Sequence, residues 1–557
     1  MKGKFILFKR LISYTAILIL GIFIISCSKK NESENIPAPS EKTVPEKTAE
    51  CVPADISALR TIAKANPEAH LFEGEEPGHW KGVEINWTKN ESGKFAVVRL
   101  SITEEKSSLT LNLEGGKEGN ALFGSMESLE ITSAGLKKAT IANQPLLKKI
   151  LLNGKGKAKA DTLNISGTKS LKEINVEGFP ELVAFEIGGE EIDKLVIADL
   201  PKLKDQHNLK FRRKYDKEGK PVKTTSVKEF ILKGELNSLE GIYLPDMGIE
   251  KFSVETSLPA LTSVALYDNK LTGVLELKGL SSLNTLFLSN NRLTEVKLSE
   301  CPQMTELDLS KNPDLTRYAF SLPALKIMDL NETGLMSLDI SMLGNLKKLS
   351  AYGSKLVSVI FSADNIKKLT ALNLSGNRLT GIDFKNQESK IFLLTLDNNR
   401  IKSLDLSRMP SLERLLANDN KLEKLDVSAG AAGFSKLECR NNHLTVKILK
   451  DIKEKLTELE KWEIAPQYVL GRVNTEKKQI DAKEEAVTLG LKTRVEKYDG
   501  KKWNEVSGEY SVADGIHSFN GKGKYRVICT SFLDFKDWYF DIFSLDSPYV
   551  IGELEIR

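Results

Sequence analysis

Cysteine and histidine are scarce in this chain, five of each among 557 residues. The cysteines (Cys27, Cys51, Cys301, Cys439, Cys529) lie far apart. That spacing excludes C-x-x-C zinc sites and a dense disulfide framework. The histidines (His70, His79, His207, His443, His517) form no H-E-x-x-H motif and no pair at metal-ligand spacing. Also missing are a G-x-S-x-G elbow, a phosphate-binding glycine loop and a dinucleotide fingerprint. Carboxylates are plentiful, but they alternate with lysines as on a solvated face, and no pair stands out as an acid and base. Charge is nearly balanced, 80 Lys and Arg against 76 Asp and Glu, so no overall field draws the chain to nucleic acid. No cofactor, metal or catalytic set is therefore expected, and a non-enzymatic role is the expectation.

Long apolar runs are lacking too, except at the start. Lys2, Lys4, Lys9 and Arg10 precede the apolar stretch Leu11–Ser26, which ends at Cys27 and is followed at once by Ser28-Lys29-Lys30. A positive leader, an apolar core and a short polar boundary make a secretory signal. The ending Ile24-Ile25-Ser26-Cys27 resembles the lipobox of bacterial lipoproteins. That resemblance implies cleavage before Cys27, lipidation (palmitate) of its thiol and anchoring in the outer membrane. Residues 28–50 contain three prolines and no aromatic residue, and are expected to form a disordered tether.

What the chain does have is a phrase, L-x-x-L-x-L-x-x-N-x-L. It begins at Leu239, Leu261, Leu283, Met304, Leu325, Leu346, Leu369, Ile391, Leu412 and Phe434, every 21 to 23 residues. A fixed period of this length in this phrase is the leucine-rich repeat. Each copy supplies a short strand with inward leucines, and stacking buries them under a parallel sheet. The ninth position is Asn in seven copies (Asn269, Asn291, Asn312, Asn377, Asn399, Asn420, Asn442), a column able to satisfy backbone groups at each bend. Met247, Thr333 and Ser354 interrupt it. Weaker copies begin at Met126, Ala160, Leu171 and Leu182. The expected fold is an α/β solenoid, a leucine-rich-repeat horseshoe with its parallel sheet on the concave face, over 101–444. An interval rich in Lys and Arg, 204–225, breaks the period and is expected to project as a loop or hairpin.

Both ends of the array need covers. Residues 445–466, with Val446, Leu449, Ile452, Leu456, Leu459 and Trp462 at helical spacing, predict a capping helix. At the front, a helix begun by Asp55 and stopped by Pro67 leads into Trp80-x-Gly82-Val83 and then a strand reaching Leu100. This 51–100 succession resembles the N-terminal cap of extracellular leucine-rich-repeat proteins. Trp80 and Trp87 are expected in the core. From 467 to 557 short alternating runs separated by Asp499-Gly500 and Asp514-Gly515 predict a small all-β sandwich. Its Gly523–Cys529 stretch, GKYRVIC, resembles the Gly-x-Tyr strand of immunoglobulin-like domains, without a partner cysteine for the usual disulfide.

In a strand of this kind the fifth and seventh positions flank the buried leucines and face the groove. An aromatic there has no packing reason to be exposed. The candidate ligand contacts are Tyr267, Phe287, Asp308, Asp329, Tyr352, Asp397 and Arg440, with Tyr267 and Phe287 expected to touch as an anchor. The whole layout resembles internalin-like surface proteins and leucine-rich-repeat lipoproteins of Gram-negative anaerobes. The resemblance implies a lipid-anchored adhesin or interaction module on the cell surface, binding a protein or glycan on another cell or in the envelope. A periplasm-facing structural or assembly lipoprotein is the other expectation.

Overall fold

Most turns of the solenoid carry a strand on each of two opposite limbs, as a computed structural model of the chain shows. The structure describes residues 44–74, 76–115, 122–187, 191–204, 209–211, 213–215, 221–427, 433–456, 461–464, 467–469, 471–529 and 549–556. Cys27 and most of the expected tether lie outside these. The end of the tether is folded: Pro45 is buried, Thr48–Glu50 make a 3-10 turn, and buried Cys51 bridges to Phe95.

The ten repeats supply the front limb. Their three-residue strands, from Gly241–Tyr243 to Lys436–Glu438, align in one parallel eleven-stranded sheet whose last strand is Lys461–Glu463. Before it, on the same limb, lies a five-stranded parallel sheet running from Leu109–Glu114 to Leu209–Phe211. The Glu240 N–H donates to the Lys204 carbonyl (2.6 Å), as Thr262 does to Glu240 one rung later (2.8 Å), so the two front sheets lie in line.

The back limb is fully stranded in the first half. An eight-stranded sheet runs from the edge strand Val83–Lys89 through Phe95–Glu104 to Lys251–Val254, all parallel except the first pair. Thr272 N–H to Glu250 C=O (3.3 Å) carries it into the shorter back sheets of the second half. The four weaker repeat copies therefore do not form one column. Those from Met126 and Leu171 become back strands (Ser128–Ser133, Glu173–Glu177), while those from Ala160 and Leu182 become front strands (Thr162–Ser166, Ala184–Ile187). When both limbs alternate inward and outward residues, the apolar phrase occurs twice per turn.

The asparagine column forms as its chemistry requires. Asn291 accepts from Leu271 N–H (2.9 Å) and donates to the Leu266 and Leu288 carbonyls (2.9 and 3.0 Å). Asn399 repeats the pattern with Leu379, Leu374 and Leu396. At the interruption, the Thr333 and Ser354 hydroxyls bond each other (3.0 Å), and Ser354 takes over contact with the Leu330 carbonyl (2.9 Å). The residue before each of these ten positions has positive φ, from Asp246 and Asp268 to Asp419 and Asn441. Asn, Asp and Gly tolerate that left-handed backbone, which explains the Asn-Asn, Asp-Asn and Gly-Asn pairs of the phrase.

Both covers differ from expectation. Helix α1 (Pro53–Ala65) starts at Pro53, not Asp55, and has no side-chain cap. Asp55 is buried instead and accepts the Val97 N–H (2.8 Å) of the first parallel strand. Trp80 is buried edge-on against Phe72 and Trp87 packs on the core, as expected. A short α2 (Ala363–Lys368) occupies one back limb, capped by Ser362. Helix α3 (Val446–Lys455) buries Val446, Leu449 and Ile452 but stops there. Trp462 is not helical; it pairs with Leu437 in the last front strand. The physical reason is an eleventh copy of the phrase, Leu459-x-x-Trp462-x-Ile464-x-x-Gln467. Its ninth residue, Gln467, is fully buried, accepts from Leu444 N–H (3.0 Å) and donates to the Cys439 (2.7 Å) and Ile464 carbonyls.

The basic interval is a hairpin, Arg213–Tyr215 against Pro221–Thr224, inserted between a front and a back strand. The tail adds a five-stranded sheet and a four-stranded sheet. They pack through Gly552, where a Cβ would come within 2.9 Å of Ile480 and Val473. The tail is bonded to the solenoid: Gln467–Tyr468 pairs with Tyr549–Val550, and the Tyr549 hydroxyl accepts the Val446 N–H (3.0 Å) of α3.

Candidate ligand-binding face

The two faces of the solenoid handle charge differently. On the back, the column Lys149, Glu173, Lys194, Glu229, Lys251 alternates sign from rung to rung in register. Lys149–Glu173 (3.2 Å) and Lys194–Glu229 (3.6 Å) close ion pairs, flanked by Arg99–Glu130 (2.5 Å), Lys148–Glu127 (2.7 Å) and Lys228–Asp193 (2.7 Å). Such half-exposed pairs contribute about 0–1 kcal/mol each. Their effect is to pair opposite charges within the face.

The front of the repeats is not neutralised in that way. Tyr243, at the fifth position of the first repeat, is 44% exposed. Its ring lies edge-on to Tyr267 (centroids 5.9 Å, 79°), and the two hydroxyls share a hydrogen bond. Thus the ring that packs on Tyr267 belongs to the preceding rung, not to the expected partner Phe287. Tyr267 occupies the seventh position and Phe287 the fifth, in register with Ala265 and Asp308. Sequence reading missed Tyr243, although its distance from Leu239 put it on the same face. Phe287 is half-buried, and two rungs on, in the strand of Asp329, Ile327 exposes its side chain.

Asp308 and Asp329 follow on adjacent rungs in direct register. One oxygen of Asp308 accepts from the Ser310 N–H (2.9 Å) and hydroxyl (2.6 Å). Asp329 accepts from the Asn331 backbone (2.8 Å) and side chain (3.1 Å). Burial pushes the Asp329 carboxyl above the usual range; the Asn331 N–H opposes this, and the Asp308 charge adds to it. Among the described residues, neither carboxylate has a lysine or arginine within ion-pair distance.

Farther along, the face closes on itself. Asn331 accepts from Ser350 (2.6 Å) and the Tyr352 N–H (2.7 Å), while the Tyr352 side chain stays 49% exposed. Asp397 accepts the Asn418 N–H (2.7 Å), Asn418 donates to Glu438 (3.1 Å), and Lys436 pairs with Glu438 (2.6 Å). Burial also raises the Asp397 carboxyl. Arg440 is half-exposed and pairs with Glu463 (2.9 Å). The seven expected residues thus share one face but form two regions: an aromatic–acidic one from Tyr243 to Asp329, and a self-bonded polar one ending at Arg440.

No group of three or more His, Cys, Asp or Glu side chains suited to a metal occurs among the described residues. The four described cysteines are buried, and burial pushes the Cys439 thiol up to about 12. No described helix is long and apolar enough to cross a membrane.

No protein-family model matches the chain. Among curated proteins, a Roc-COR-CHAT protease from an unknown prokaryotic organism is 23% identical over 346 residues, 59% of this chain. The match spans 30% of that protein's length. Among solved structures, YopM from Yersinia enterocolitica WA-314 is 18% identical, with 67% of this chain and 80% of that chain covered and a TM-score of 0.36. The functional domain of InlJ from Listeria monocytogenes is 16% identical over 82% of this chain and 90% of its own, with a TM-score of 0.34. These structural neighbours are bacterial leucine-rich-repeat proteins. The fold assignment itself rests on the strands and ladders described above.

Proposed function

We propose that this chain is a lipid-anchored protein of a bacterial cell envelope that binds a protein or glycan through the front face of its repeats. The observation that carries the reading is an aromatic run on a sheet whose other side is already core: Tyr243 exposed, Tyr267 and Phe287 half-buried. A buried interior on one side and rings reaching solvent on the other describe a surface suited to contact. The leader ending at Cys27 supports the anchor, and the Gly523–Cys529 strand supports an immunoglobulin-like tail that serves as an accessory domain. A repeat scaffold specifies a surface and not a reaction, so the activity of the protease-named relative is not carried over.

Replacing Tyr267 and Phe287 together by Ala tests the face. Binding of the chain to host or neighbouring bacterial cells is expected to fall at least ten-fold, with the unfolding midpoint nearly unchanged. Undiminished binding would place the ligand elsewhere. Labelling with a palmitate analogue tests the anchor: incorporation is expected in the natural chain and none in Cys27→Ser. Protease added to intact cells separates an outward display, which is cut, from a periplasm-facing assembly role, which is protected.

A further inference from the structure

The aromatic–acidic region of the front sheet carries a charge pattern that its neighbours do not answer. Across the first three repeats positions two to eight include Glu240 and Asp268 and no lysine or arginine; Lys311 and Lys326 hold such positions on the fourth and fifth rungs but form no ion pair with Asp308 or Asp329. The fourth and fifth rungs then place Asp308 and Asp329 side by side, both half-buried and both without a cation among the described residues. Like charges opposite one another on neighbouring strands are destabilising, and burial strengthens the repulsion. On the back face of the same solenoid the column from Lys149 to Lys251 alternates in sign instead. The pair stands beside the half-buried ring of Phe287, with Tyr267 and Tyr243 on the rungs before it, so one incoming segment spans both kinds of group.

We propose that the surface formed by Tyr243, Tyr267, Phe287, Asp308, Asp329 and Ile327 docks a basic, apolar-flanked polypeptide segment, its arginine or lysine held between the two carboxylates. The proposal rests on the front-face binding reading above and names the partner's chemistry. An arginine suits the place in two ways. Its guanidinium bonds to carboxylate oxygens in a planar fork, and its charge removes the repulsion between Asp308 and Asp329; Tyr243 and Tyr267, two to four rungs away, meet the apolar residues that precede it. Ile327 and Phe287 flank the carboxylates and give apolar neighbours of that cation a place to bury. An anionic glycan or nucleic acid would meet the carboxylates with the wrong sign, and a neutral glycan would leave them unpaired.

The experiment uses the full chain and three labelled twelve-residue peptides, alternating Arg and Leu, Glu and Leu, or Ser and Leu, together with a soluble neutral glucan. The Arg–Leu peptide is expected to bind at least ten-fold more tightly than the other probes. The double variant Asp308→Asn/Asp329→Asn should reduce its affinity at least ten-fold, and Tyr243→Ala/Tyr267→Ala should do so as well. Asp383→Asn/Asp405→Asn, which removes the same charge from the back face, should leave it within two-fold. Equal loss from the back-face variant, or no loss from the front-face one, would overturn the proposal by reducing the effect to net charge. Preference for the glucan that depends on Tyr243 and Tyr267 would also overturn it, while leaving the binding face itself in place. Circular dichroism of each variant separates loss of contact from loss of fold.

Discussion

At the scale of single residues, the asparagine column shows how far side-chain chemistry alone determines structure. An Asn can accept and donate together, and the spacing of the phrase puts one at each bend where backbone groups lack partners. That much is legible from the sequence. Removing Asn399 would strand the Leu379 N–H and the Leu374 and Leu396 carbonyls in the core. Asn399→Ala should therefore cost about 2–4 kcal/mol, read as a lower urea midpoint with an unchanged slope. Asp329 behaves in the opposite sense. Its folded value is raised by burial and by Asp308, so it holds its proton more tightly in the fold than in the unfolded chain. Its stabilising contribution is complete below the unfolded value and is lost as pH rises through the folded one. Asp329→Asn should raise the urea midpoint at pH 7 while changing it little near pH 3. An unchanged midpoint at pH 7 would mean that the carboxylate pair carries no strain. The reverse assignment, Asp55 as a helix cap, failed because its side chain meets Val97, 42 residues away. No local pattern reveals such a partner.

Among the elements, the covers are the least legible part. Helical spacing continues from Val446 to Trp462, and it overrides the weaker signal of Leu459, Trp462, Ile464 and Gln467. That second pattern keeps the spacing of the repeat with Trp462 and Ile464 at two leucine positions and Gln467, an amide like Asn, at the ninth. Gln467 closes the ladder, and Tyr549 accepts from the first turn of α3, so the tail completes the cover over the last rung. Gln467→Ala should lower the urea midpoint of the whole array by an amount comparable to Asn399→Ala, about 2–4 kcal/mol. If it affects only the tail, the eleventh rung is not part of the stacked core. In the tail itself, burial pushes His517 below its ordinary value, so it is carried neutral. The unfolded chain then binds the extra proton, and tail stability should decline as pH falls below about 6.5. His517→Phe should remove that decline, as followed by the fluorescence of Trp503. In the first half, the two-limbed strands misled because the front and back phrases look alike without the ninth-position Asn.

At the scale of the whole molecule, the solenoid pairs charges along the back of its first half, while on the front the region from Tyr243 to Asp329 holds no ion pair among the described residues. Repeat period, inward leucines, the bend column and the paired strands of the basic interval all follow from the sequence. The identity of the open region does not, because it depends on which charges find partners across rungs. Asp397 and Arg440 share the front face with Asp308, at the seventh rather than the fifth position, yet Asn418 and Glu463 occupy them. Everything proposed for the function turns on contact through the region from Tyr243 to Asp329. A photoreactive benzoyl-phenylalanine placed at Tyr267, and in a second chain at Lys194 on the back, measures this on living cells whatever the ligand is. A discrete adduct is expected from position 267, abolished by Asp308→Asn/Asp329→Asn, and none from position 194. Adducts of equal yield from both faces, or from position 194 alone, would contradict contact through the front.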